Sequence, residues 1–141
     1  MKISLVPPEH VFSIWKEVRD YLEPAVETSK GRWTMEHLCA SLTMGRTNLW
    51  IAFDDEKIHG VMTTEVIQYP AKLMLAMHFL GGEDFDSWYS EMLRNITRYG
   101  KDMGCDGIEG VARFGFWKWL KDDGFEKSSA FYEKGMNNGS F

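Results

Sequence analysis

Apolar and polar positions alternate at the start of the chain, Lys2-Ile3-Ser4-Leu5-Val6, which predicts a short strand ended by Pro7-Pro8. From Glu9 the spacing changes. Val11, Phe12, Trp15, Val18, Tyr21 and Leu22 share one helical face while Lys16, Glu17, Arg19 and Asp20 fall elsewhere, so a first helix is expected to end near Pro24. After a polar connector containing Gly31, Thr34 is a good N-cap for a second helix carrying Met35, Leu38, Cys39 and Leu42, with Gly45 at its end. Two β-rich runs follow, 48–53 and 58–69, joined by the acidic turn Asp54-Asp55-Glu56-Lys57 and closed by Pro70. Leu73-Met74-Leu75-Ala76-Met77 is unbroken and apolar, a central strand covered on both faces that should stop at His78-Phe79-Leu80-Gly81-Gly82. Phe85, Trp88, Tyr89, Met92, Leu93, Ile96, Tyr99 and Met103 then mark a long amphipathic helix, with Asp84 or Asp86 as its N-cap. A turn over 104–107, a short strand over 108–112 and a helix from about Phe114 to Asp123 come next. Gly124 ends that helix, and a strand-like stretch from Phe125 to Tyr132 leads into a polar tail.

This order describes one mixed α/β domain over residues 1–141, with an antiparallel meander followed by parallel-type crossovers. A chain of 141 residues can bury its own core without metal or disulfide staples. The formal charge of −5, without a basic stripe, removes any general attraction to nucleic acid or anionic membrane. No apolar run approaches a membrane span and Met1-Lys2 begins no secretory pattern, so a cytoplasmic location is expected, with Cys39 and Cys105 as reduced core thiols and a single disulfide between them as the alternative. His10, His37, His59 and His78 show no metal-ligand spacing, and no Ser, Cys or Thr sits in a nucleophile motif. Six tryptophans favour large packed contacts within or between chains.

Three segments carry a family resemblance. The run from Trp50 to Val61, with its acidic turn and Gly60, is similar to two adjacent strands of the GNAT superfamily of acetyl-CoA-dependent N-acetyltransferases. Gly104-Cys105-Asp106-Gly107-Ile108 resembles the end of that family's long helix and its fifth strand, and Trp119-Leu120-Lys121-Asp122-Asp123-Gly124-Phe125-Glu126 its glycine-phenylalanine motif. The resemblance implies a GNAT-like mixed sheet with flanking helices. It further implies an acetyl-CoA site along the fourth strand, at Met77, His78 and Phe79, with Gly81 and Gly82 as a displaced phosphate loop. Glu65 and His78 are the candidates for a general base, and each also reads as an ordinary strand residue. Leu120 occupies the place of the family's usual proton-donating tyrosine, so Tyr132, Tyr89 or water would substitute.

The phosphate loop departs further. The family's Gln or Arg and two glycines fall here on Asp84, Ser87 and Tyr89, and Glu83, Asp84 and Asp86 crowd the place of two phosphate charges. One like-charge pair at contact costs about 1 kcal/mol in water and about 4 near a protein surface. A micromolar ligand has only about 8 kcal/mol in total. Capping of a helix N-terminus is the simpler reading of these acids.

Between 113 and 120 the chain is unusually aromatic. Phe114 and Trp117 fall on one side of a helix and Phe116, Trp119 and Leu120 on the other, so one face packs and the other is left for a protein partner or a second copy, unless a loop or the tail covers it. Two functions follow. The favoured one is a GNAT-fold protein that has lost its cofactor and serves as a binding, assembly or virion structural subunit, as the resemblance to GNAT-like proteins of short-tailed bacteriophages implies, in host cytoplasm or virion. The alternative is an acetyl-CoA-dependent N-acetyltransferase with a divergent cofactor loop.

Overall fold

The computed structural model describes residues 1–112 and 116–136. The expected N-terminal strand is β1 (Lys2–Val6), and Pro8 opens a short 3-10 turn leading into α1 (Val11–Glu27). Helix α1 runs on through Pro24 instead of ending there. Pro24 removes one intrahelical bond, but Val26 beyond it is buried with Val18 and Leu22, and that packing holds the last turn in place. Thr34 caps α2 (Met35–Thr43) as expected, its Oγ1 accepting the His37 amide at 3.1 Å, and Gly45 follows with φ +78°.

Strands β2 (Asn48–Phe53), β3 (Ile58–Gln68) and β4 (Leu73–Gly82) precede α3 (Phe85–Asp102) and β5 (Gly107–Gly110). The sheet order is β1-β2-β3-β4-β5, antiparallel from β1 to β4 and parallel between β4 and β5. Asp106 fixes the start of the parallel pair from both sides. Its carboxylate accepts the Leu73 amide at 2.9 Å while its own amide donates to the Leu73 carbonyl at 2.7 Å. On one face of the sheet, Leu49, Val61 and Phe79 join Val18, Leu22, Leu38 and Leu42 of α1 and α2 in one core. Gly60, next to Val61, points the other way, and there the buried Trp88 of α3 lies so close that a Cβ on Gly60 would sit 2.2 Å from its ring. Met92 and Ile96 continue the buried stripe of α3.

Two expected boundaries need correction. Strand β4 does not stop at a glycine break after Met77, because β3 goes on pairing with it from Thr63 opposite Phe79 to Gly60 opposite Gly82. The glycines serve close approach within this pairing. A Cβ on Gly81 would lie 1.9 Å from the Tyr21 carbonyl oxygen of α1, and one on Gly82 (φ +140°) would lie 2.4 Å from the His59 carbonyl oxygen.

The second correction is to the strand expected near the C-terminus, within 111–141, a stretch that forms a compact unit of its own. Its described part holds α4 (Trp117–Leu120), a 3-10 turn over Lys121–Asp123, and Gly124 at φ +83°. Phe125 to Tyr132 is not a strand. The four polar residues Glu126-Lys127-Ser128-Ser129 interrupt the alternation a half-buried strand requires. No helix among the described residues is long and apolar enough to cross a membrane.

The glycine packing can be measured. Gly81→Ala should lose about 3 kcal/mol or more in urea denaturation, since helix backbone cannot move aside. Gly107→Ala, where the new Cβ meets only the flexible Met74 side chain, Cε at 3.1 Å and Sδ at 3.5 Å, should stay within about 1 kcal/mol of the parent. Equal losses would show that close approach is not what selects glycine at position 81.

Candidate functional site

A β-bulge builds the candidate site. The β3–β4 register pairs Thr63 with Phe79 and Thr64 with Met77, leaving His78 as the extra residue. The Phe79 amide donates to the Thr63 hydroxyl at 3.1 Å, so the break in the ladder leaves no unsatisfied donor there. His78 reaches back across β3, and its Nε2 lies 2.8 Å from Glu65 Oε1. Both side chains are partly buried, 23% and 33% exposed, so the pair is screened less than a surface contact yet open to a ligand. Trp33, in the connection between α1 and α2, completes the wall. Its ring centroid is 5.7 Å from that of His78 and 5.8 Å from that of Phe79, edge-on to the latter.

This arrangement has a definite chemistry. When Glu65 is ionised it accepts from Nε2–H, which fixes the tautomer and leaves Nδ1 as the basic nitrogen. A carboxylate-oriented imidazole of this kind can take a proton from an amine or water placed beside it. The sequence candidates Glu65 and His78 are therefore brought together. Trp33 was missed, because a single aromatic in a polar connector has no periodic pattern to betray it.

Next to the bulge, β4 loses its parallel neighbour. Strand β5 ends at Gly110 opposite Met77, and among the described residues no strand pairs with the same edge of β4 from His78 to Gly82. A Cβ on Gly110 would lie 3.1 Å from the Met77 carbonyl oxygen, so glycine lets the two backbones run close before they part. Met77, His78 and Phe79 thus stand at the mouth of the opening, where backbone amides and carbonyls can bond an extended ligand. Gly81 and Gly82 lie further along β4 at the contacts with α1 and β3 already described.

The link from β4 to α3 is only Glu83 and Asp84. The Glu83 amide donates to the His59 carbonyl at 2.8 Å, and the Ser87 amide donates to the Asp84 carbonyl at 2.8 Å. Trp88 Nε1 donates to the Glu83 carbonyl at 2.8 Å. Asp84 occupies the N-cap position in a left-handed conformation, φ +51°, yet its side chain makes no capping bond, and Asp86 lies in the first turn. The expected side-chain cap is thus absent from Asp84. The Lys57 ammonium pairs with the Glu83 carboxylate and lowers its pKa, and burial together with the Glu83 charge raises that of Tyr21, whose hydroxyl donates to the Ile58 carbonyl at 3.1 Å. At this link the amides of Glu83 and Ser87 are engaged within the chain, and two carboxylates stand beside them.

The remaining candidates lie elsewhere. Tyr132 is in the 111–141 unit and exposed, and Tyr89 is buried in α3 with its ring stacked on Phe85, 4.7 Å between centroids. In the same C-terminal unit, Lys127 lies over the Trp117 ring at 4.8 Å and Lys118 over the Trp119 ring at 5.0 Å. Phe116 precedes α4 directly, and Phe114 lies outside the described residues.

No protein-family model matches the chain, and no curated protein does. Solved structures do. A predicted acetyltransferase from Clostridium acetobutylicum, with acetyl-CoA, superimposes with TM-score 0.69 at 12% identity over 96% of each chain. An aminoglycoside acetyltransferase from an uncultured soil metagenomic sample, meta-AAC0020, in complex with trehalose, gives 0.65 at 19% identity over 94% of each. The fold is that of the GNAT acetyltransferases. A transcriptional regulator from Bacillus halodurans gives 0.68 at 12% identity, covering 96% of this chain and 99% of its own, so proteins described by different functions share the GNAT-like architecture.

The turn between β2 and β3 has its own pH dependence. Asp54 accepts the Glu56 and Lys57 amides at 2.8 and 3.0 Å and lies 2.6 Å from His59 Nε2, and these bonds, the backbone ones first, lower its pKa to about 2. A depressed carboxylate pKa stabilises the fold above the unfolded value of about 3.9, and the contribution is lost as pH falls through the folded value. The stability difference between the parent and Asp54→Asn should therefore be greatest above pH ~5 and close between pH ~4 and ~2. Chemical denaturation across that range measures it, and a constant difference would contradict the ionised turn.

Proposed function

We propose that this chain is a GNAT-fold protein acting as a binding or assembly subunit, without the pyrophosphate cradle that acetyl-CoA chemistry uses. The observation that carries this reading is the Glu83-Asp84 link, where the fold's phosphate position holds two carboxylates and the Glu83 amide is already bonded to the His59 carbonyl. Each carboxylate near a phosphate opposes binding by about 1 to 4 kcal/mol, a large part of the affinity of a micromolar ligand. The aromatic segment with Phe116, Trp117 and Trp119 is the surface offered to a protein partner or a second copy, and the sequence expectation adds Phe114, which lies outside the described residues. The sequence resemblance to GNAT-like phage proteins supports a virion or assembly role for it.

One observation favours a second reading. Glu65 and His78 form an oriented base pair at the mouth of the β4 opening, which suits deprotonation of an acceptor amine in an N-acetyltransferase with a divergent cofactor loop. Trp33 would then line the acceptor side.

Calorimetry and thermal shift with acetyl-CoA and CoA separate the two. A ligand at a hundredfold excess over its Kd stabilises the fold by about 2.7 kcal/mol, so millimolar cofactor without a shift is the expected result. Clear stabilisation would overturn the subunit reading. In that case Glu65→Gln should lower turnover, and Trp117→Ala should leave it unchanged. If the subunit reading holds, Trp117→Ala should weaken self-association or partner capture while leaving the melting temperature of the 1–110 sheet unchanged.

A further inference from the structure

The turn between β2 and β3 meets the end of β4 in a cluster whose two acids enter the proposed function only as an obstacle to phosphate and whose histidine neither reading uses. His59 is held at one nitrogen and open at the other. Its Nε2 lies 2.6 Å from Asp54 Oδ2, and Asp54 is kept ionised by the amides of Glu56 and Lys57, so the ring proton belongs on Nε2. That leaves the lone pair of Nδ1 facing the acids. Nδ1 is buried and has no hydrogen-bond partner among the described residues, in a side chain only 12% exposed. It lies 3.7 Å from Glu83 Oε1, too far for a hydrogen bond and close for two atoms that both offer electron pairs. One ligand atom each from His59, Glu83 and Asp84 falls within 4.8 Å of the others. With the ring proton on Nε2, Nδ1 and Glu83 Oε1 are two acceptors facing across a gap, and the Lys57 ammonium is the cation already paired with that oxygen.

We propose that His59 Nδ1, Glu83 and Asp84 form a binding site for one borderline divalent cation of the Zn2+ type, with water completing the coordination. The donor set decides the class: an imidazole nitrogen with two carboxylates suits Zn2+ and its first-row neighbours, whereas Mg2+ and Ca2+ prefer oxygen alone. The Asp54–His59 contact is the outer support that metal-binding histidines commonly have, a carboxylate on the far ring nitrogen that fixes the tautomer and raises the basicity of the ligating one. Backbone geometry fixes the other two ligands. The Glu83 amide bonds the His59 carbonyl, tying that acid to the histidine's own residue, and Asp84 follows directly with a side chain that caps nothing. The competitor is Lys57, whose ammonium pairs with Glu83 and is about half exposed, and the Tyr21 hydroxyl lies near the same carboxylate. An exposed ion pair of this sort is weak and yields to a divalent ion.

The competition makes the test sharp. Zn2+ titrated calorimetrically into the full chain, in a non-coordinating buffer at neutral pH and without acetyl-CoA, should bind with one-to-one stoichiometry and outcompete Mg2+. Leaving out acetyl-CoA keeps the result independent of how the cofactor question is answered. Asp84→Asn, which retains a residue tolerant of the left-handed conformation, should weaken binding at least tenfold. Lys57→Met, which removes the competing cation, should strengthen it severalfold, a result that a purely structural ion pair would not give. Nitrogen-15 NMR of the histidine rings should show Zn2+ on Nδ1 of His59 with Nε2 still protonated. Absence of a one-to-one site at millimolar Zn2+, or binding that is indifferent to Asp84→Asn, would overturn the proposal. So would binding that is lost in Cys39→Ser or Cys105→Ser, which would assign the metal to the thiols.

Discussion

The contact on which the 1–110 unit depends is the approach of α1 to the far end of β4, where the Tyr21 carbonyl lies over Gly81 with no room for a Cβ. Next to it Gly82 fits under the His59 carbonyl at a backbone angle that L side chains rarely adopt. With both positions pressed from above and beside, the chain continues as strand where a loop was expected. Only Glu83 and Asp84 are then left to turn it into α3. Helix packing at one spot therefore leaves only the Glu83-Asp84 link between β4 and α3.

The second determinant is the bulge at His78. A regular antiparallel ladder would alternate its side chains strictly, and a single added residue changes the phase of the alternation for the rest of the strand. The Thr63 hydroxyl accepts the displaced Phe79 amide, so the irregularity carries little hydrogen-bonding penalty. In return the imidazole meets Glu65 where β5 has just ended opposite Met77. The bulge and the opening coincide, and backbone irregularity here positions chemistry.

Much of this was legible in the sequence for one reason: periodicity reports which face is buried. The stripe from Phe85 to Ile96 gave α3, the Thr34 cap gave α2, and the acidic turn over 54–57 gave the β2–β3 hairpin, because each depends on local spacing or a local bond. Failures arose where tertiary contact overrode a local preference. Pro24 reads as a helix end until Val26 is seen to be buried, and Gly81-Gly82 reads as a loop until α1 is laid across it. Glu65 and His78 were each visible as candidates, but their meeting depends on a register shift that no spacing rule contains. His59 was dismissed as a ligand on sequence spacing for the same reason. Its neighbours Glu83 and Asp84 are more than twenty residues away and come to it only through the pairing of β3 with β4.

The start of α3 shows how one physical demand can have two answers. A helix N-terminus carries unsatisfied amides and a partial positive charge, and either a bound phosphate or the protein's own carboxylates can satisfy it. Here Glu83, Asp84 and Asp86 stand at that end, and Ser87 bonds back to the Asp84 carbonyl through both its amide and its hydroxyl. Negative charge at this helix start is thus already supplied by the chain itself. Facing these acids are the Lys57 ammonium, paired with Glu83, and Nδ1 of His59, whose other nitrogen lies against Asp54. A helix N-terminus by itself attracts anions, and the acids gathered at this one give it the opposite preference. Architecture therefore fixes where charge must be compensated, and the side chains at that point decide what does the compensating.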